Sequence, residues 1–324
     1  MSTQTLTQSA PAHPTSQPWP IAQRIAFRFC VVYFSLFVLS NQVINSILIV
    51  PKIDVPDWAT IWPVRVPIIW VAQHIFRVRT ELVYSGSGSG DKTFDWVLVF
   101  CVLVVALIAT ALWSALDRGR QSYPTLQKWF HLFLRIALAS QMFAYGFAKA
   151  VPLQMPFPYL TRQLEPFGSF SPMGVLWTSI GASPGYEIFA GCAELIGGLL
   201  LIFPRTVVLG ALVCLADMIQ IFMLNMTYDV PVKLFSFHLI VMSLLLLAPD
   251  ARRLSNLFFL NRTAQPRAAA PLFPAATGSR DSRNARNHWD QLACPRRRRP
   301  TGTPALFART RIGRPGSTTG PPVV

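Results

Sequence analysis

The sequence predicts an all-α, polytopic membrane protein with about six transmembrane helices. Three observations carry that expectation. Hydrophobic residues make up 52% of the 324-residue chain and charged residues only 13%, about half of the ~25% typical of a soluble domain. The apolar residues gather in runs close to the roughly 20 residues that a spanning helix needs. Basic residues also alternate between the two sides of these runs, the pattern that sets orientation in a bilayer.

Residues 1–20 are rich in Ser, Thr, Gln and Pro and lack a basic stretch ahead of an apolar core. They read as a disordered leader before a retained helix, not as a signal peptide. Residues 21–125 read as two transmembrane helices, Ile25 to Val50 (ended by Pro51) and Phe94 to Leu116, joined by a long loop. That loop contains WATIWPVRVPIIWVAQHIF, in which Trp58, Trp62 and Trp70 favour the headgroup layer. Pro63 and Pro67 argue against a span there and for an interfacial segment. SGSGSG, Ser85 to Gly90, reads as a flexible turn.

Residues 126–262 supply four more spans: Leu126 to Val151 (stopped by Pro152), Tyr186 to Phe203, Thr206 to Met226, and Val232 to Ala248. Pro204 and Arg205 leave room only for a tight hairpin between the second and third of these. The loop from Leu153 to Pro184, rich in proline and aromatic residues, is expected to dip into the interface. Residues 263–324 form a basic tail without helical period, which reads as disordered and solvated. It holds eleven arginines against Asp281 and Asp290, so it carries +9 of the chain's +15.

This distribution of charge points to a lipid partner and away from nucleic acid. Arginines such as Arg296 to Arg299 beside an anionic leaflet contribute ~1 kcal/mol each. One set of junctions carries Arg24, Arg28, Arg118, Arg120, Lys128, Arg205, Arg252, Arg253 and Arg262 against only Asp117 and Asp250, whereas the opposite loops are nearly balanced. The expected topology is multi-pass in a cell inner (plasma) membrane, with both termini cytoplasmic.

Familiar chemistry is missing. The five cysteines, Cys30, Cys101, Cys192, Cys214 and Cys294, form no CxxC pair, and four of them sit in apolar runs as small hydrophobes. No GxxxxGK[ST] loop, GxGxxG turn, HExxH helix or histidine pair at ligand spacing occurs, so no metal or cofactor site is expected. Enzymatic activity is left open, with the balance against it.

Ionisable groups inside spans cost about 2.5–3.5 kcal/mol each even on the lenient scale, so their positions carry information. Gln141, Tyr145 and Lys149 recur at four-residue spacing and share a helix face. Glu194 follows Glu187 by seven residues, about 10 Å deeper on the same face. Asp217 and Gln220 lie in the outer half of the next span, and His238 about 8 Å into the last. Lys149, Glu194, Asp217 and His238 thus fall within one outer slab from four different helices. With Gln141, Tyr145 and Gln220 they are the candidates for a polar pocket opening outward. The competing reading makes them interhelical contacts. Glu187 and Lys233, at helix ends, are expected at the interface, and Arg135 is expected to reach lipid phosphates.

Several stretches resemble the DoxX-like family of integral membrane proteins. They are QMFAYGFAKAVPLQMPFP (Gln141 to Pro158), SPMGVLWTSIGASPGYEIFAGCAELIGGLLLIFPRT (Ser171 to Thr206) and MLNMTYDVPVKLFSFHLIVMSLLLLAPDARRL (Met223 to Leu254). SGSGDKTFDWV (Ser87 to Val97) is similar to the longer subgroup with two extra N-terminal helices. The resemblance implies a four-helix membrane bundle over residues 126–262. It also implies a link to quinone-associated redox or oxidative-stress membrane complexes, with a quinone as the only cofactor in view. The functional expectation is therefore an accessory or redox-linked membrane component. The alternative is a small proton-coupled transporter using Glu194, Asp217 and His238. Partner complex, substrate and oligomeric state are not legible in the residues.

Overall fold

A computed structural model describes residues 18–47, 57–85 and 88–263. Most of the leader, the end of the first predicted span at Val50 and Pro51, part of the SGSGSG turn, Cys294 and the basic tail lie outside the described residues. Among the described residues every regular element is helical.

The first predicted span is shorter than expected. Helix α1 runs Ile21–Ser40 and is followed by the short helix α2, Val43–Ile47. The break falls at Asn41, whose backbone is extended (φ −135°, ψ −176°) and whose Oδ1 accepts from the Val43 N–H at 3.1 Å. A short polar side chain that hydrogen-bonds its own backbone competes with helix continuation and favours a fresh start. The tryptophan-rich loop forms helix α3, Trp62–His74. At 13 residues it spans about 20 Å, too short for the ~30 Å hydrocarbon core. It buries Ile68 and Ala72 and leaves Trp62 and Trp70 exposed.

Helix α4, Thr93–Leu116, packs against α1 and α3. Its far end is tied by Arg28, a buried arginine of α1. The Arg28 guanidinium donates to the Asp117 carbonyl at 2.7 Å and to the Tyr123 hydroxyl at 2.6 and 2.9 Å. Tyr123 in turn donates to the Asp117 carboxylate at 2.6 Å. That bond, with Arg120 and Arg28 nearby, holds the Asp117 carboxyl below its ordinary range.

Helices α5, Pro124–Ala150, α8, Pro184–Ile202, α9, Val207–Thr227, and α10, Lys233–Leu247, form a ring in which each packs on the next and α10 returns to α5. Between α5 and α8 the chain makes two short helices, α6 (Leu160–Gln163) and α7 (Pro172–Gly181). After α10 a 3-10 turn, Ala248–Asp250, leads into α11, Ala251–Phe258, so the last apolar element continues beyond its predicted end at Ala248. One buried core joins the ring to α1 through Phe34, Phe37 and Val38.

The closest approach is between α5 and α8, and glycine permits it. A Cβ on Gly191 would stand 2.4 Å from the Ala150 nitrogen and 2.7 Å from the Gly146 carbonyl oxygen. A Cβ on Gly146 would stand 2.9 Å from Leu195. Paired small residues are what membrane helices use to bring backbones together. Lower down, Arg135 does not reach for lipid phosphates. Its guanidinium donates to the Leu201 and Ile202 carbonyls at 2.8–3.0 Å and so satisfies the C-terminal end of α8.

Among the described residues, five helical segments are long and apolar enough to cross a membrane: Ile21–Ser40, Thr93–Leu116, Pro184–Ile202, Val207–Thr227 and Lys233–Phe258. Between 22% and 44% of the scored residues in each are buried inside the protein. Their outward faces are nonetheless apolar, as in Leu103, Leu107, Ile108 and Leu112 of α4, all exposed. A water-soluble chain does not display such continuous apolar faces, and the architecture is that of a membrane protein. Helix α5 is long enough, at 27 residues, but lies outside this set.

Candidate functional site

Sequence dictates where polar groups sit on the ring. Gln141, Tyr145 and Lys149 lie one helical turn apart along α5, and Glu187, Ala190 and Glu194 lie along α8, so each set presents one stripe. The glycine contact draws these two stripes together. Between them, and closed by α9 and α10, lies a cavity with about 100 Å³ of room for water-sized molecules.

Six of the seven sequence-predicted residues line this cavity: Lys149, Glu194, Asp217, Gln141, Tyr145 and Gln220. Lys149 and Glu194 form a direct ion pair across α5 and α8, with the lysine 8% and the glutamate 1% exposed. Lys149 Nζ also sits 5.6 Å from the centre of the Tyr145 ring, within range of a cation–π contact. Tyr145 accepts at its hydroxyl from the Gln42 amide at 2.8 Å, which links the cavity wall to the break after α1. Asp217 is half-buried, within electrostatic range of both Glu194 and Lys149. Gln220 is exposed at the cavity edge.

His238 does not join them, which corrects the expectation of a four-helix quartet. The residue is buried, but it is turned towards α1 and does not line the cavity. Its ring stacks on Phe37 with centroids 3.9 Å apart. Nδ1 contacts the Leu234 carbonyl at 2.6 Å and Nε2 the Tyr33 hydroxyl at 2.7 Å. A carbonyl oxygen only accepts, so Nδ1 carries the hydrogen and the neutral ring accepts from Tyr33 at Nε2. Direction around the helix was decided by the aromatic partners that α1 offers.

Glu187 is the residue that sequence reasoning missed. Expected at the interface, it is 1% exposed and lines the cavity. Its Oε1 accepts from the Met155 N–H at 2.9 Å, which pins the segment after α5 across the pocket. The seven-residue spacing to Glu194 was the available signal, since it places both acids on one face. The same segment folds over the cavity through Leu176, Trp177 and Ile180 of α7. Ser171 caps α7, accepting from the Gly174 N–H at 3.1 Å. At its far end Gly181 lies against the Met155 and Pro156 carbonyls with no room for a Cβ. Residues 151–183 thus cover the pocket, pinned to α8 through Met155 and Glu187 and folded back on themselves where Gly181 meets Met155 and Pro156.

Five residues that line this cavity each keep one fully buried side-chain atom without a hydrogen-bond partner: Gln141 Nε2, Gln154 Oε1, Glu187 Oε2, Glu194 Oε2 and Asp217 Oδ2. Buried polar groups are satisfied in the great majority of cases. Five exceptions around one space are a property of that space. No group of three or more His, Cys, Asp or Glu residues suited to a metal occurs among the described residues, and the four described cysteines are free.

No family model matches the chain, and no solved structure matches it. A relative, "Uncharacterized protein YwoB" of Bacillus subtilis (strain 168), is 32% identical over 143 residues, which cover 44% of this chain and 91% of that protein. Nearly the whole of the relative is therefore contained within this longer chain. The chain belongs to the family of YwoB.

Proposed function

We propose that the protein crosses a cell membrane six times and holds a small solute in the lidded pocket between α5, α8, α9 and α10, with Glu194 and Asp217 coupling solute movement to protons. The sixth span is α5. Its 27 residues extend about 40 Å, more than the ~30 Å core. Its charges have outlets: Lys128 lies near the helix start, Arg135 is satisfied by α8 carbonyls, and Lys149 pairs with Glu194. In this topology both termini are cytoplasmic and the lid faces outward. Reporter tags at residues 87 and 169 are then expected on the outer side of the cell membrane. A cytosolic signal from either tag overturns the topology.

The observation that carries the solute-binding reading is the set of five unpartnered polar atoms on a mainly apolar cavity. A guest with polar and apolar parts satisfies both, which is how small-molecule pockets are built. His238, held by Tyr33 and Leu234, has no part in the coupling.

A second reading, an accessory component of a quinone-linked redox complex, is favoured by the DoxX-like stretches. A quinone's ring oxygens only accept hydrogen bonds. Four of the five unpartnered atoms are acceptors too, and the Lys149 ammonium is engaged by Glu194. Gln141 Nε2 and the Tyr145 hydroxyl are the donors that a ring oxygen would meet there.

The test is a screen of small solutes for a rise in thermal stability of the detergent-purified protein. Lightly buffered proteoliposomes then report any pH change that follows addition of a stabilising solute. Asp217→Asn is expected to abolish the pH change while leaving the protein folded. No stabilising solute, or equal proton movement in the variant, overturns the reading.

A further inference from the structure

The balance of donors and acceptors in the pocket goes further than the presence of a guest. Glu187, Glu194 and Asp217 bring three carboxyl groups to the cavity, and Lys149 brings one ammonium. Lys149 engages Glu194 through Oε1, and the Met155 N–H engages Glu187 through Oε1. The second oxygen of each glutamate and Oδ2 of Asp217 are left without a donor, as is Gln154 Oε1. Among the cavity's buried side-chain atoms without any partner four are acceptors and one, Gln141 Nε2, is a donor, while Lys149 Nζ keeps N–H donors beyond the one that Glu194 takes and Tyr145 keeps its hydroxyl hydrogen. Glu187 and Glu194 are each 1% exposed, so water outside the protein does not solvate them.

We infer that the solute is a small primary-ammonium cation with an apolar body. An ammonium offers three donors and no acceptor, the complement of carboxyl groups that outnumber the single lysine of the cavity three to one. Its charge also offsets the excess of carboxyl groups in a setting where unpaired charge is costly. The protein already holds one ammonium by the same chemistry: Lys149 meets a carboxylate oxygen of Glu194 and lies over the Tyr145 ring. Trp177, Tyr186 and Phe235 present further aromatic surface around the cavity, suited to an apolar body and to cation–π contact. This inference rests on the reading of the cavity as a solute pocket and adds the chemical class of the solute.

The experiment is isothermal titration of the full chain in nanodiscs with phenethylamine, a cation at neutral pH, and with 2-phenylethanol, its neutral counterpart. Leaving a buried charged site unpaired costs a few kcal/mol, so the amine is expected to bind about 30-fold more tightly than the alcohol. Asp217→Asn and Glu187→Gln are each expected to shrink that preference. The wild-type preference needs no variant, so a variant that fails to fold does not remove the test. Equal affinities, or tighter binding of the alcohol, overturn the cationic solute and leave the pocket standing. Absence of saturable binding by either compound overturns the pocket and the inference together.

Discussion

Lys149→Ala is expected to destabilise the folded protein by about 3–5 kcal/mol, the usual consequence of removing one partner from a buried ion pair. Glu194 would then stand 1% exposed with neither oxygen engaged. The cost comes from the stranded carboxylate more than from the lost attraction, which yields a second expectation. Lys149→Met combined with Glu194→Gln removes both charges and is expected to recover most of the loss. The measurement is reversible unfolding in detergent for the two single variants and the double variant. Additive effects would show that the pair contributes no coupling and that Lys149 acts through packing alone.

Gly191→Ala is the second large effect. The added Cβ would lie 2.4 Å from the Ala150 nitrogen, 2.7 Å from the Gly146 carbonyl oxygen and 2.8 Å from the Lys149 Cβ. Two of these neighbours are backbone atoms, so the clash is relieved only by moving α5 away from α8. Overpacking of this kind costs about 1–3 kcal/mol or more. Helix separation would also pull Lys149 from Glu194, so the variant is expected to lose both stability and pocket binding. By contrast, Gly185→Ala, at a position with open space around its Cβ, is expected to be near neutral. Equal unfolding temperatures for the two variants would contradict the tight α5–α8 contact.

These two expectations bear on how much of the pocket the sequence contains. Helical period alone places Gln141, Tyr145 and Lys149 on one stripe and Glu187 and Glu194 on another. It also sets their level along each helix, because every residue adds the same rise. What it leaves free is rotation about the helix axis. His238 shows the difference. It faces Tyr33 and Phe37 and not the carboxyl groups, because stacking on α1 decides its direction. Arg135 is a similar case: a long side chain can reach lipid or carbonyl oxygen, and the exposed end of α8 lay within reach.

By itself the sequence determined an all-helical membrane architecture, the positions of its long helices after the first to within a few residues, and the stripes of polar residues along them. These are local properties, governed by run length, apolar content and the 3.6-residue repeat. The lid that crosses the pocket through Glu187 and the separation of His238 from the acids were decided only in three dimensions. Each depends on which surface another helix presents. That is a contest between long-range partners, and it has no signature in the residues of either helix alone.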